Sequence, residues 1–365
     1  MKVLMTADTV GGVWTYALEL ARALEPQGVQ IALAAMGRSL SASQWEESRA
    51  VGSLQVFESD YALEWMADPW EDVRRAGGWL LGLEARLGPD VIHLNGYAHG
   101  ALPWRAPTLM VGHSCVLSWW RAVKGEDAPP TWDRYRQEVA GGLRAASRIA
   151  APTQAMADAL QTHYGPLPPI QVIFNSRFPE LFPPGPKEKF VLSAGRLWDE
   201  GKNLAALARG APCLPWPVCV AGEQRGPEGG RIEAEGVSLL GHLAPSVLAG
   251  LLARAAIYAL PARYEPFGLS ALEAGLAGCA LVLGDIPSLR EVWGDAALFA
   301  APDDSEALER ALCRLITDAP YRQAMTARAR ARALRYVPAR MASEYLAAYH
   351  TLTETKTRGE KTCGS

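Results

Sequence analysis

Apolar and polar positions follow two alternating patterns along this chain. Short apolar runs of strand length are followed by longer stretches with apolar residues at helical spacing. Residues 2–6 predict a first strand, 8–12 a loop, 14–24 a helix and 29–35 a second strand. Residues 54–57 read as a third strand, and 70–87 as a helix stopped by Gly88-Pro89. Further strands are predicted at 90–95, 108–112, 147–151 and 170–174, and helices at 132–146 and from the cap residue Thr153 to His163. Strand, helix, strand in regular succession is the arrangement of a doubly wound parallel sheet.

Residues 178–189 hold four prolines and a glycine with little periodicity, and read as a linker. A second strand–helix series then begins. Its strands are predicted at 190–194, 217–221, 237–240, 255–260 and 280–283, and its helices at 245–254, 270–277, 305–317 and 321–335. A last helix, 339–352, follows Pro338, and the polar residues 355–365 read as a flexible tail. The expected division is an N-terminal domain over 1–177, a linker over 178–189 and a second domain over 190–337.

Composition narrows the function classes. A chain of 365 residues is long enough for two domains, and 49% hydrophobic with 21% charged residues is ordinary for a globular enzyme. A net charge of −3 gives no reason to expect a nucleic-acid partner. The N-terminal apolar run is too short for a signal peptide, and no window approaches transmembrane length free of charge. A cytoplasmic location is therefore expected, with room for a weak peripheral membrane contact. None of the six cysteines forms C-x-x-C or a metal-ligand spacing, so they read as idle thiols.

The most informative stretch is 264–278, YEPFGLSALEAGLAG. It follows the apolar run 255–260 and opens a helix, while Pro266 and Gly268 force a loop between the two. Free N–H groups of Gly268, Leu269 and Ser270 at a helix start would form an anion site suited to phosphate. Glu265 in the loop and Glu273, expected in the first helical turn, flank that site. A carboxylate repels phosphate but accepts from sugar hydroxyls, so the stretch suggests a ligand with both a phosphate and a polyol. Taken singly, Glu273 is equally a helix-dipole residue and Glu265 a solvated charge.

Glu265 and Glu273 form E-x7-E around Pro-Phe-Gly, and the stretch resembles the donor-binding signature of retaining glycosyltransferases of family 4, which have the GT-B fold. The continuation GDIPSLREVWGDAALFAAPDD at 284–304 resembles the family too. The likeness covers nearly the whole chain and is strongest over 237–304. It implies two Rossmann-like domains with parallel sheets facing across a cleft, and a C-terminal helix, 338–354, crossing back to the N-terminal domain.

Other candidates also sit beyond the carboxyl ends of predicted strands, where open parallel sheets bind ligands. Gly11-Gly12 lets backbone approach a phosphate, although alone it is equally a tight turn. It is not G-x-G-x-x-G, because Trp14 and Tyr16 follow it, which weakens a dinucleotide dehydrogenase reading. Arg196 and Lys202 are two cations suited to a departing diphosphate, and alone they read as an exposed basic loop. The family spaces this lysine five positions after the arginine; here the interval is six. His113, in VGHSC, matches a family histidine that holds the transferred sugar; a lone histidine is more often simply buried and hydrogen-bonded, and His93 and His99 are nearby rivals. Gly241 and His242 match a loop bordering the nucleobase, or form a plain turn. Asn175 alone matches the family's Asn-Gly-Val turn, so 175–177 receive no chemical role. Trp119, Trp120 and Arg121 are placed by packing or by an acceptor platform. No metal site is expected, since no His, Asp or Glu set has ligand spacing.

The reading is a metal-independent glycosyltransferase moving a hexosyl group from a nucleotide-diphosphate sugar, with UDP or GDP as its nucleotide, to a glycan, lipid or small-metabolite acceptor. Anomeric configuration would be retained, and the nucleotide sugar is co-substrate rather than cofactor. His113 and Glu265 are the catalytic candidates. Gly12, Arg196, Lys202, Gly268, Leu269 and Ser270 are assigned to the diphosphate, and Glu273 to the ribose. A nucleotide-sugar epimerase or isomerase and a non-catalytic nucleotide-sugar-binding protein are the alternatives.

Overall fold

The computed structural model describes residues 1–226 and 233–362, with side chains of the last helix through Thr355. Cys363 and the end of the predicted tail lie outside the described residues. The chain divides into two compact units, one of Met1–Arg121, Glu126–Asn175 and everything from Pro338 on, the other of Ala122–Gly125 and Ser176–Val337.

In the first unit the strands are β1 (Lys2–Asp8), β2 (Gln30–Met36), β3 (Leu54–Glu58), β4 (Val91–Leu94), β5 (Thr108–Val111), β6 (Arg148–Ala151) and β7 (Ile170–Val172). They form one sheet in the order β3-β2-β1-β4-β5-β6-β7, and every pairing is parallel. The helices are α1 (Gly12–Leu24), α2 (Ala42–Arg49), α3 (Trp70–Leu87), α4 (Val116–Lys124), α5 (Asp133–Ala145) and α6 (Gln154–Tyr164). Strands β1, β4 and β5 are buried almost throughout because helices cover both faces of a parallel sheet. Thr153 caps α6 as expected, its hydroxyl accepting from the Met156 amide at 3.1 Å.

The second unit repeats the plan. Its strands are β8 (Glu188–Ala194), β9 (Val218–Ala221), β10 (Ser238–Gly241), β11 (Ala255–Leu260), β12 (Ala280–Gly284) and β13 (Leu298–Ala300). Their order is β10-β9-β8-β11-β12-β13, again all parallel. Helices α7 (Leu204–Gly210), α8 (Pro245–Arg254), α9 (Leu269–Leu276), α10 (Pro287–Trp293), α11 (Ser305–Thr317) and α12 (Ala319–Ala333) connect and cover them. In both sheets the chain works outward from the first strand on one side, then returns to its other side. The reversal leaves a crevice at the carboxyl ends of β1 and β4, and of β8 and β11.

The last helix, α13 (Pro338–Thr362), packs in the first unit. Met341, Tyr345, Ala348, Tyr349 and Leu352 lie on one stripe and join Ala17, Leu20 and Leu24 of α1 in a single buried cluster. The helix continues well past the predicted end at 352. Its polar last turns carry no apolar periodicity, which is why the sequence did not predict them.

Four helices were not legible as helices: α2, α4, α7 and α10. Two of them, α7 and α10, have only seven residues each, too few for periodicity to show. Strand β13, with three residues, was likewise not predicted.

Candidate active site

The second sheet's switch point gathers most of the predicted residues. The loop after β8 and the loop after β11 are stitched together by backbone. Gly201 O accepts from the amides of Arg263 at 2.9 Å and Tyr264 at 3.2 Å. Asn203, in the left-handed conformation at φ 57°, donates from Nδ2 to Pro261 O at 2.9 Å. Between Arg196 and Lys202 the chain makes a 3-10 turn, Glu200–Lys202, capped by Asp199 Oδ1 accepting from the Gly201 amide at 2.9 Å.

Lys202 therefore reaches Glu265. Its Nζ donates to Oε2 at 2.6 Å, with the two side chains 16% and 14% exposed. At that burial the pair is a charge-assisted bond shielded from most water rather than a surface salt bridge. The other carboxylate oxygen, Oε1, accepts from the Gly268 amide at 3.0 Å. Ser288 on α10 donates to the Glu265 carbonyl at 2.5 Å and fixes the loop from behind.

This corrects one expectation. The Gly268 N–H is not free for an anion, because the preceding glutamate folds back onto it. Gly268 sits at φ +91° as the residue before α9, a conformation that a side chain would strain. The first-turn amides of Leu269 and Ser270 remain without a partner inside the helix by geometry. The anion-binding end of α9 thus lies beside a paired cation and carboxylate.

Glu273 falls in the second turn of α9, not the first, because the helix begins at Leu269. It is buried, and Arg177 Nε lies 2.9 Å from its Oε1. Burial raises the Glu273 carboxyl above its ordinary value, and the Arg177 guanidinium opposes that shift. Arg177, which the sequence left without a role, is itself buried and lies 5.0 Å over the Phe182 ring. No local pattern marks it, since its partner is remote in sequence.

Arg196 is held by Asp199 at 3.2 Å and lies 5.2 Å over the Trp198 ring, more exposed than Lys202. Gly241, at φ 72°, ends the edge strand β10, and exposed His242 follows. One strand, β9, lies between β10 and β8, so Gly241 and His242 stand apart from the Lys202–Glu265 pair.

In the first unit, Gly12 opens α1, but the amides of Val10 and Gly11 are both accepted by Asp8 Oδ1 at 3.0 Å. The loop supplies its own anion at Val10 and Gly11. Beyond β5, half-buried His113 places Nε2 2.8 Å from Asn95 Oδ1, with its ring edge-on to Tyr16 at 4.4 Å. Burial pushes His113 down to about 3. His93, a rival candidate, is fully buried on β4 and also pushed down to about 3, by burial first and His113 second. His99 is buried too, its Nε2 lying 3.0 Å from Val73 O. Trp119 and Trp120 pack edge to face on α4 at 5.9 Å.

Two Rossmann-like units with parallel sheets of seven and six strands are the two domains of the GT-B fold class. The chain belongs to the glycosyltransferases of that fold: residues 10–176 match the family model described as Glycosyltransferase Family 4, and residues 188–318 match Glycosyl transferases group 1. A 116-residue segment is 34% identical to O-antigen chain mannosyltransferase B of Escherichia coli, spanning 32% of this chain and 30% of that protein. The fold is similar to sucrose-phosphate synthase from Thermosynechococcus elongatus, with a TM-score of 0.82 at 16% identity over 97% of this chain and all of that one. It is also similar to the Anabaena protein HepE, solved in complex with UDP-glucose, with a TM-score of 0.75 at 18% identity over 98% of this chain and 100% of that one. Among the described residues no helix is long and apolar enough to cross a membrane.

Proposed function

We propose that the protein transfers a glycosyl group from a nucleotide-diphosphate sugar to a hydroxyl acceptor, with retention of configuration. The observation that carries this reading is the Lys202–Glu265 pair beside the start of α9, at the switch point of the second sheet. A cation next to unsatisfied helix amides suits a diphosphate. A carboxylate in the same place suits sugar hydroxyls and developing positive charge at the anomeric carbon. HepE, which shares the fold, binds UDP-glucose, which supports a nucleotide-sugar donor here.

In this reading Lys202, Arg196 and the amides of Leu269 and Ser270 stabilise the leaving diphosphate as its charge grows, so that the protein's own groups take the part a metal ion plays elsewhere. Gly268 contributes through its turn rather than its N–H. Glu265 holds the donor sugar and steadies the oxocarbenium-like transition state. Glu273 meets the ribose, with Arg177 Nε 2.9 Å from its carboxyl. The leaving phosphate takes the acceptor proton as the acceptor attacks from the same face. Gly241 and His242 border the base, and Gly12 backs the diphosphate. A glycan, lipid or small metabolite is the acceptor.

Thermal unfolding with UDP, GDP, ADP and their common sugars tests the donor class. A ligand at about a hundred times its Kd stabilises the folded state by about 2.7 kcal/mol. One nucleotide series is expected to raise the Tm. Glu265→Gln should keep that shift for the bare diphosphate while nucleoside diphosphate release during turnover falls by about a hundredfold or more. No shift with any nucleotide, or full turnover in Glu265→Gln, would defeat the reading.

A further inference from the structure

Asn95 follows β4 at the crevice of the first sheet, and its hydrogen bonds dictate the protonation of its neighbours. Its Nδ2 lies 2.7 Å from Thr6 O, and its own amide donates to Thr6 Oγ1 at 2.9 Å. A backbone carbonyl only accepts, so the side-chain nitrogen must face Thr6 and the side-chain oxygen must face away. That oxygen, Oδ1, lies 2.8 Å from His113 Nε2 and 3.2 Å from His93 Nε2. An amide oxygen also only accepts, so the His113 proton must sit on Nε2. The same holds for His93, whose Nε2 also lies 3.2 Å from the Tyr16 hydroxyl, an oxygen able to accept from the same N–H. His93 Nδ1 lies 2.6 Å from the Tyr349 hydroxyl, which stays protonated because burial raises it well above its ordinary value. With Nε2 carrying the proton, His93 Nδ1 keeps its lone pair and the Tyr349 hydroxyl donates to it.

We propose that Asn95, clamped by Thr6, is a positioning residue that holds His113 as its Nε2–H tautomer and leaves the Nδ1 lone pair to accept from a ligand hydroxyl. His113 Nδ1 makes no hydrogen bond among the described residues, and the side chain is only half-buried. A neutral imidazole presented this way takes a hydroxyl donor and rejects phosphate oxygens, which bring only lone pairs. Burial keeps the ring neutral at ordinary pH. The Thr6 carbonyl blocks the flipped alternative, in which the Asn95 amide nitrogen would face both histidines. The hydroxyl is assigned to the transferred sugar, and that part rests on the function proposed above.

The tautomer is read directly by long-range proton–nitrogen correlation spectra of uniformly nitrogen-15-labelled protein. The expected result is the Nε2–H form for His113 in the wild type and a mixture of tautomers in Asn95→Ala. A wild-type Nδ1–H form, or an unchanged Nε2–H form in Asn95→Ala, overturns the assignment. The wild-type spectrum decides this even where a variant does not fold. Binding of UDP, UDP-glucose, GDP and GDP-mannose supplies the second readout. Asn95→Ala is expected to weaken the sugar nucleotide that binds by about tenfold, and its bare diphosphate by less than about threefold. Equal weakening of both removes the sugar-directed role. If none of the four binds wild-type protein, the donor reading and the sugar assignment fail together, while the tautomer is still judged by the spectrum.

Discussion

Glu273 and Arg177 each solve the other's burial. Breaking a buried pair by removing one partner leaves an uncompensated charge, at a cost of about 3 kcal/mol or more. Arg177→Met should lower stability by about that amount, and adding Glu273→Leu should recover much of it, as a double-mutant cycle of urea unfolding would measure. The histidines give a second test at this scale. Both His93 and His113 are pushed down to about 3, against about 6.5 in the unfolded chain. Their folded forms are neutral, so their contribution is complete above about pH 6.5 and is lost as pH falls toward about 3. The groups around them are Asn95 and the neutral hydroxyls of Tyr16 and Tyr349. The urea midpoint should drop between about pH 7 and about pH 5, and His93→Gln should flatten that drop. The individual candidates were partly legible. Glu265 and Lys202 could be named from their loops, but their 2.6 Å contact could not. Arg177 was invisible because its meaning comes from a partner on another element.

At the scale of elements, long periodic segments were read well: α3, α8, α11 and β11 match their predicted bounds residue for residue. Short helices were lost, since seven residues make barely two turns. The start of α9 shows how a loop reuses its own amides: Pro266 and Gly268 were read as breakers, yet the fold-back of Glu265 onto the Gly268 amide depends on side-chain geometry that no spacing reveals. Helix α13 offers a test of packing against polar contact. Tyr349 is fully buried and bonded to His93. Tyr349→Phe should cost about 1 kcal/mol and Tyr349→Ala about 4 kcal/mol in unfolding free energy, the second mainly through the cavity left behind.

At the scale of the molecule, the same strand order is used twice, and each unit buries its own core. The doubly wound class and the doubling were legible because strand–helix alternation is a long-range rhythm that survives local errors. The second unit is nearly continuous in sequence, so a fragment of residues 176–337 should fold alone, seen as dispersed amide signals and a cooperative melt. It should also bind the bare nucleoside diphosphate of whichever donor the full chain takes. A fragment of residues 1–175 should give neither a dispersed spectrum nor a cooperative melt, because α13 completes its core.

That arrangement has a consequence for how the chain is made. Helix α13 is translated after the whole of the second unit, yet its tyrosines fill the core around β1 and α1. The part that leaves the ribosome first therefore waits, with apolar surface uncovered, until the last helix has emerged. Domains made vectorially generally mature from the N-terminus. Here the order of birth and the order of completion run in opposite directions, and the later-born half is the first to be finished.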